Sequence, residues 1–307
     1  MLPRKPSRLK ARAAPLMNAA AGLAAAGVLR TIRLTSRKAI ADFAGGLMRR
    51  VGPWRPEHRT GRENLAAAFP EKPPHEIEKI LSGVWDNLGR VTAEFAHLDR
   101  IKTYDPAVPG PADIEYDQVT YDRFHRLRLD NKPALIFTAH LANWELSAMV
   151  ATAYKLDMIA VYRQPNLRAV ADAVLKIRGN SMGELMPTGL DTPLRLGEAL
   201  AAGRHVAMLV DQYAVRGVDV NFFGRPTKAN SLLARLARQV ECPIHGARMI
   251  RLPDHKFRIE MTEAIEPPRD ADGRIDVQGT MQVITDVVEG WVREYPEQWL
   301  WVHRRWR

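Results

Sequence analysis

PALIFTAHLANWE, Pro133 to Glu145, is the stretch whose reading decides the fold. PALIF is an unbroken apolar run of the kind a parallel sheet buries on both faces, and it gives way to polar side chains at His140 and Asn143. The strand should end near His140, with Asn143 as the N-cap of a helix whose first turn holds Trp144 and Glu145. The same alternation repeats downstream. Strands are expected at Met158 to Tyr162, His205 to Val210, Ile244 to Leu252 and Phe257 to Thr262, with helices over 143–154, 166–181, 192–202, 229–240 and 277–294. Strand, helix, strand in repetition predicts an α/β sandwich with a mostly parallel sheet. Upstream, 36–51 and 76–97 carry helical spacing, the second with Ile77, Ile80, Leu81, Val84, Leu88 and Val91 on one side, and the Pro- and Gly-rich stretch Lys102 to Asp113 connects them to the sheet. Three regions result: 1–35, a helical N-terminal subregion over 36–110, and an α/β domain over 111–307.

With 307 residues, 46% hydrophobic and 26% charged, the chain has the mass for a full core and lacks the composition of a disordered one. One cysteine, Cys242, excludes an internal disulfide framework and any Cys-rich metal site. Lys and Arg outnumber Asp and Glu by 45 to 35, a net +10 that favours an anionic partner: nucleic acid, a membrane surface or an acidic protein. Aromatic residues are not interleaved with the cations as in a stacking platform, and no recognition motif appears, so nucleic acid is the weakest of the three. Arg4, Lys5, Arg8, Lys10 and Arg12 precede an Ala-rich run from Ala13 to Leu29, and Arg30, Arg33, Arg37 and Lys38 follow it. As a helix the run would extend about 25 Å against a hydrocarbon core of roughly 30 Å, so it makes a poor span. Basic flanks around an apolar helix suit an anchor lying on, or weakly inserted in, an anionic leaflet; a secretory signal has similar ingredients and is the rival reading.

Sites in a parallel sheet gather where strands end and turn into helices. His140 stands at one such end, Asp211-Gln212 follows HVAMLV at another, and Arg163 follows MIAVY at a third. Inside one continuous helix His140 and Glu145 would sit about 140° apart, so they can meet only if His140 stays on the turn. A carboxylate bonded to one imidazole nitrogen leaves the other as a proton acceptor, which makes a general-base unit for a hydroxyl. Glu145, or Asp211 in its place, is the expected partner, with Glu145 favoured. The plain alternative is a capped turn beside a solvated helix position. Phe222-Phe223-Gly224 reads as core packing before a turn. No G-x-S-x-G, G-x-G-x-x-G or phosphate loop is present.

HLANWE, together with Arg62-Glu63-Asn64-Leu65 and Phe69-Pro70 upstream, Tyr162-Arg163, Asp211-Gln212, GVDVNFFGRP and PEQWLWVHRRWR, resembles the lipid A late acyltransferases, the lauroyl and myristoyl transferases of Gram-negative bacteria. The resemblance is ordered over most of the chain. It implies a glycerolipid-acyltransferase-like α/β fold, an N-terminal membrane anchor at the cytoplasmic face of the inner membrane, and acyl transfer from an acyl carrier protein to a lipid A precursor without cofactor or metal. It puts His140 and Glu145 in the catalytic positions and Arg163, Arg178, Asp211 and Gln212 around the substrate. The family usually has Gly where Ala142 stands, Pro where Asn221 stands, and a longer, more apolar anchor. Transfer to another lipid or glycolipid acceptor, from an acyl carrier protein or acyl-CoA, and a non-enzymatic membrane-associated binding protein are the alternatives.

Overall fold

A computed structural model describes residues 27, 30–104, 110–163, 177–179 and 182–307. Seven strands form one sheet: β1 (Ile114–Glu115), β2 (Leu135–Thr138), β3 (Met158–Tyr162), β4 (Glu184–Pro187), β5 (His205–Leu209), β8 (Ile244–Arg251) and β9 (Phe257–Ala264), in the order β1-β9-β8-β2-β5-β3-β4. The five strands from β8 to β4 are parallel, whereas β9 runs antiparallel to β8 and β1 follows it. The expectation of a mostly parallel sheet therefore holds. Two further strands, β6 (Tyr213–Phe222) and β7 (Arg225–Ala229), make a separate antiparallel hairpin.

Alternation along β2 builds the sandwich. Leu135 and Phe137 point to one core and Ile136 to the other, as side chains two apart on a strand must. The first core is completed by α2 (Pro56–Ala68), α3 (Pro74–Phe95), α6 (Thr192–Ala201), α7 (Leu232–Val240) and α8 (Val277–Glu294); the second by α4 (Gln118–Leu129) and α5 (Glu145–Ala153). Leu65, Leu81 and Trp85 from the N-terminal helices join the same cluster as Trp299 and Trp301. α1 (Arg37–Val51) lies across α3 at small residues, since a Cβ on Gly89 would come 2.4 Å from the Ala44 carbonyl oxygen.

The hairpin escapes sequence reading because Gly217 and Pro226 interrupt its strands and polar residues stand on both faces. It closes on Phe223-Gly224, both with positive φ (54° and 66°), the backbone of a tight two-residue turn. A bulky side chain tolerates this because Phe223 is buried against Phe69, Phe222 and Trp301. Because β7 occupies 225–229, the helix expected from 229 begins at Leu232. The short strands β1 and β4 and the helices α2 and α4 also went unread. Of the helix expected over 166–181 only 177–179 lie within the described residues, where they are helical, and the expected anchor over 1–35 lies mostly outside them. Among the described residues no helix is long and apolar enough to cross a membrane.

Gly89→Ala tests the α1–α3 contact. Alanine gains about 1 kcal/mol of helix propensity, but pressing a methyl on a backbone carbonyl costs about 1–3 kcal/mol and the obstacle cannot rotate away. A net fall in melting temperature is expected; a rise would show that α1 does not seat on α3 this closely.

Candidate active site

β5 lies between β2 and β3, so the carboxyl ends of these three strands stand side by side. That brings His140, Asp211 with Gln212, and Arg163 to one cleft, where His140, Arg163 and Gln212 share the lining with Trp144, Tyr162, Arg178 and Tyr213. The convergence of His, Arg and Asp expected from strand ends is present.

The partner of the imidazole is Asp211. Its Oδ1 lies 2.8 Å from His140 Nδ1, while Oδ2 accepts from the His140 backbone N–H at 2.8 Å and from Trp299 Nε1 at 2.8 Å. A carboxylate only accepts, so Nδ1 carries the hydrogen, and in the neutral ring the lone pair is on Nε2. Nε2 faces the Gln212 amide nitrogen at 3.3 Å. The Trp144 ring meets the imidazole edge-on at 5.0 Å and holds its plane. Burial alone would push the Asp211 carboxyl up, but the charge and hydrogen bonds of His140, with Trp299, outweigh it and bring the group down to about 2. A depressed carboxyl contributes stability that is complete above its ordinary range and is lost only as pH falls through about 2.

Glu145, expected to hold His140, instead forms a two-point ion pair with Arg178, Nε to Oε2 at 2.9 Å and Nη2 to Oε1. The Arg178 guanidinium lies over the rings of Phe95 (5.7 Å) and Tyr162 (5.6 Å). The geometric reason concerns the cap. α5 begins at Glu145 with no side-chain cap; Asn143 is fully buried and turns inward, its Nδ2 donating to Glu94 Oε2 at 2.9 Å. The turn is closed by other means. Ala142 takes φ 48°, the left-handed conformation in which Gly is at ease, its N–H donates to the Gln298 carbonyl (2.9 Å), and its own carbonyl accepts from Asn87 (3.1 Å). Behind it Arg251 donates to both oxygens of fully buried Glu94 (2.6 and 2.9 Å) and to Asn87 (2.8 Å). The turn after β2 thus rests on a polar network from α3, β8 and the C-terminal tail.

Beneath the cleft lies an apolar cavity reaching between α5 and the sheet to Ile136, Met158, Ala207 and Ile259. Trp144, Tyr162, Arg178, Met208 and Leu209 border both spaces. A cleft lined by polar and charged side chains therefore meets an apolar chamber at the Glu145–Arg178 pair. Trp299, Asn87, Glu94, Arg251 and Arg305 were missed from sequence. Trp299 and Arg305 sit in the quoted PEQWLWVHRRWR tail, but nothing in its spacing predicts a side chain under another strand's end.

A family model described as bacterial lipid A biosynthesis acyltransferase matches residues 12–307. The chain is similar to the lipid A biosynthesis palmitoleoyltransferase of Escherichia coli (strain K12), 23% identical over 262 residues that cover 80% of this chain and 77% of that protein. It is similar to the same extent to a lipid A biosynthesis acyltransferase of Shigella flexneri.

The network makes a stability prediction. Arg251→Met strands the Glu94 charge and should lower the unfolding free energy by about 3–5 kcal/mol, the usual consequence of breaking a buried pair. Glu94→Gln with Arg251→Met should cost less than the sum of the single changes in urea unfolding. Strictly additive losses would mean the two side chains act separately.

Proposed function

The chain belongs to the bacterial lipid A biosynthesis acyltransferase family, and from that premise we propose that it transfers a fatty acyl chain from an acyl carrier protein thioester to a hydroxyl of a lipid A precursor, with His140 as general base. One observation carries this reading: His140 Nε2, its lone pair fixed by Asp211 on the other nitrogen, opens on a cleft that adjoins an apolar chamber. The acyl chain occupies the chamber and its thioester carbonyl lies in the cleft. Nε2 takes the acceptor hydroxyl's proton as the oxygen bonds to the carbonyl carbon; the carbon–sulfur bond then breaks and the thiolate recovers the proton from the imidazolium. Asp211 orients the ring and stabilises its charged form. The Gln212 amide and Arg163, which line the cleft beside His140, serve as donors to the developing oxyanion, while Glu145 and Arg178 shape the doorway between cleft and chamber. Arg163, Arg216 and Arg304, all exposed, suit an acidic carrier protein and a phosphorylated head group.

His140→Ala should lower turnover by about 10²–10⁴-fold with the fold retained, and Asp211→Asn should approach that loss. Glu145→Gln should act mainly through KM, because its partner Arg178 borders the substrate path rather than the imidazole. Steady-state rates with an acyl carrier protein thioester, and mass spectrometry of lipid A from cells lacking and regaining the protein, read both outcomes. Near-normal turnover by His140→Ala would end the proposal.

The same reading places the protein on the cytoplasmic face of the inner membrane. Its support is a set of exposed apolar side chains that no described residue covers: Phe43 and Leu47, one turn apart on α1, with Leu34 before the helix and Trp54 at 83% exposure after it, flanked by Lys38, Arg49, Arg50 and Arg55. Replacing Phe43, Leu47 and Trp54 with Ser should weaken flotation of the full chain with phosphatidylglycerol vesicles by about tenfold or more, given 1.5–3 kcal/mol for each large apolar side chain buried. Unchanged flotation would leave attachment to other residues.

A further inference from the structure

The tail carries a buried cation that the reaction as written does not use. Arg305 is 1% exposed, yet no carboxylate bonds it: its Nη1 donates to Thr227 Oγ1 (3.1 Å) and to the Lys228 carbonyl (2.8 Å), both neutral, its guanidinium lies 5.1 Å from the Phe222 ring centre, and Nε has no partner. A charge in this position is costly to bury and would ordinarily be paired. The nearest buried anion is Asp211, which borders the same small cavity as Arg305 among Val210, Phe222, Thr285 and Val288. Burial lowers the Arg305 guanidinium, with Asp211 pulling the other way, to about 10, so it remains a cation at neutral pH.

We propose that Arg305 is the counter-charge of the Asp211–His140 pair, a positioning residue that offsets the buried carboxylate and restrains the imidazole from holding a proton at rest. The two ions need not touch: at the range of a shared cavity, in surroundings less polar than water, a full charge still shifts a proton equilibrium measurably. Asp211 already has three donors and stays ionised without help, so the effect of removing Arg305 falls on His140. A lone Asp–His unit is too ready to take up a proton; a third, positive member keeps Nε2 free for the hydroxyl while leaving the carboxylate to stabilise the imidazolium when it forms. Other charged groups around the pair do not duplicate this. His303 on the tail is pushed down by burial and is neutral at pH 7. Lys228 is paired with Asp219, and Arg178 with Glu145, while Arg163 and Arg307 are exposed. Tyr213 borders the cleft and α8 presents only Thr285 and Val288 to the cavity.

The inference rests on the general-base reading for its functional meaning, but its test does not. In full-length protein labelled with ¹⁵N-histidine, the His140 ring signals are identified by their loss in His140→Ala and followed through a pH titration. Arg305→Met and Arg305→Gln should move the His140 midpoint up by about one pH unit relative to wild type, while Arg305→Lys leaves it within a few tenths. Where the wild type turns over, the acid limb of kcat should move by the same amount with KM little changed. Gln retains donors for Thr227 and Lys228, so it is the version that keeps the tail in place if Met does not, as thermal melting will show. An unmoved midpoint in a folded uncharged variant overturns the assignment. Loss of folding in both uncharged variants beside a native-like Arg305→Lys also overturns it, by giving the charge a role in holding the tail instead of tuning the pair. A wild type that transfers no acyl chain but shows the shift would sink the proposed reaction and leave the charge relation standing.

Discussion

A single buried carboxylate organises this molecule. Asp211 receives hydrogen bonds from the His140 ring, the His140 backbone and the Trp299 indole, so one anion joins the end of β5, the turn after β2 and the C-terminal tail. Each donor is needed twice over, once to offset the desolvation of the charge and once to hold a segment that has no regular structure of its own. The turn cannot rely on a helix cap, because Asn143 is committed to Glu94. Its shape comes from a left-handed Ala142 fastened to Gln298, and that conformation costs roughly 1–2 kcal/mol wherever a side chain replaces glycine. Strain at the turn is held in place by the polar network behind it.

The two carboxylates near the centre have divided their work. Asp211 reaches the imidazole from a neighbouring strand, whereas Glu145, five residues along the same chain, faces Arg178 across the opening of the apolar chamber. The ion pair stands where a polar cleft meets an apolar chamber. Its two-point geometry and the rings of Phe95 and Tyr162 around the guanidinium keep it rigid, so the boundary it marks does not blur.

Much of this was legible beforehand, for reasons that can be named. PALIF, MIAVY and HVAMLV are buried on both faces and show it as unbroken apolar runs, so the central strands and the side chains at their ends were readable, and with them His140, Arg163, Asp211 and Gln212. The pairing inside the site was not. Two carboxylates were available to one histidine, sequence proximity favoured Glu145, and the choice turned on the neutral cap Asn143, whose amide found a better partner in three dimensions. The hairpin over 213–229 was hidden by Gly217 and Pro226, and Trp299, Glu94 and Arg251 act through contacts more than forty residues long-range in sequence, for which no local pattern exists.

The tail's position also sets an order of events in the cell. Trp299 supplies one of the three donors to Asp211, and Trp301 and Arg305 pack beneath the same strand ends, so no nascent chain can complete the anion's surroundings until those residues have left the ribosome. The segment that carries the exposed apolar side chains, residues 34–54, emerges some 250 residues earlier. On the reading proposed above, these apolar side chains can meet a membrane surface before the donors to Asp211 are complete.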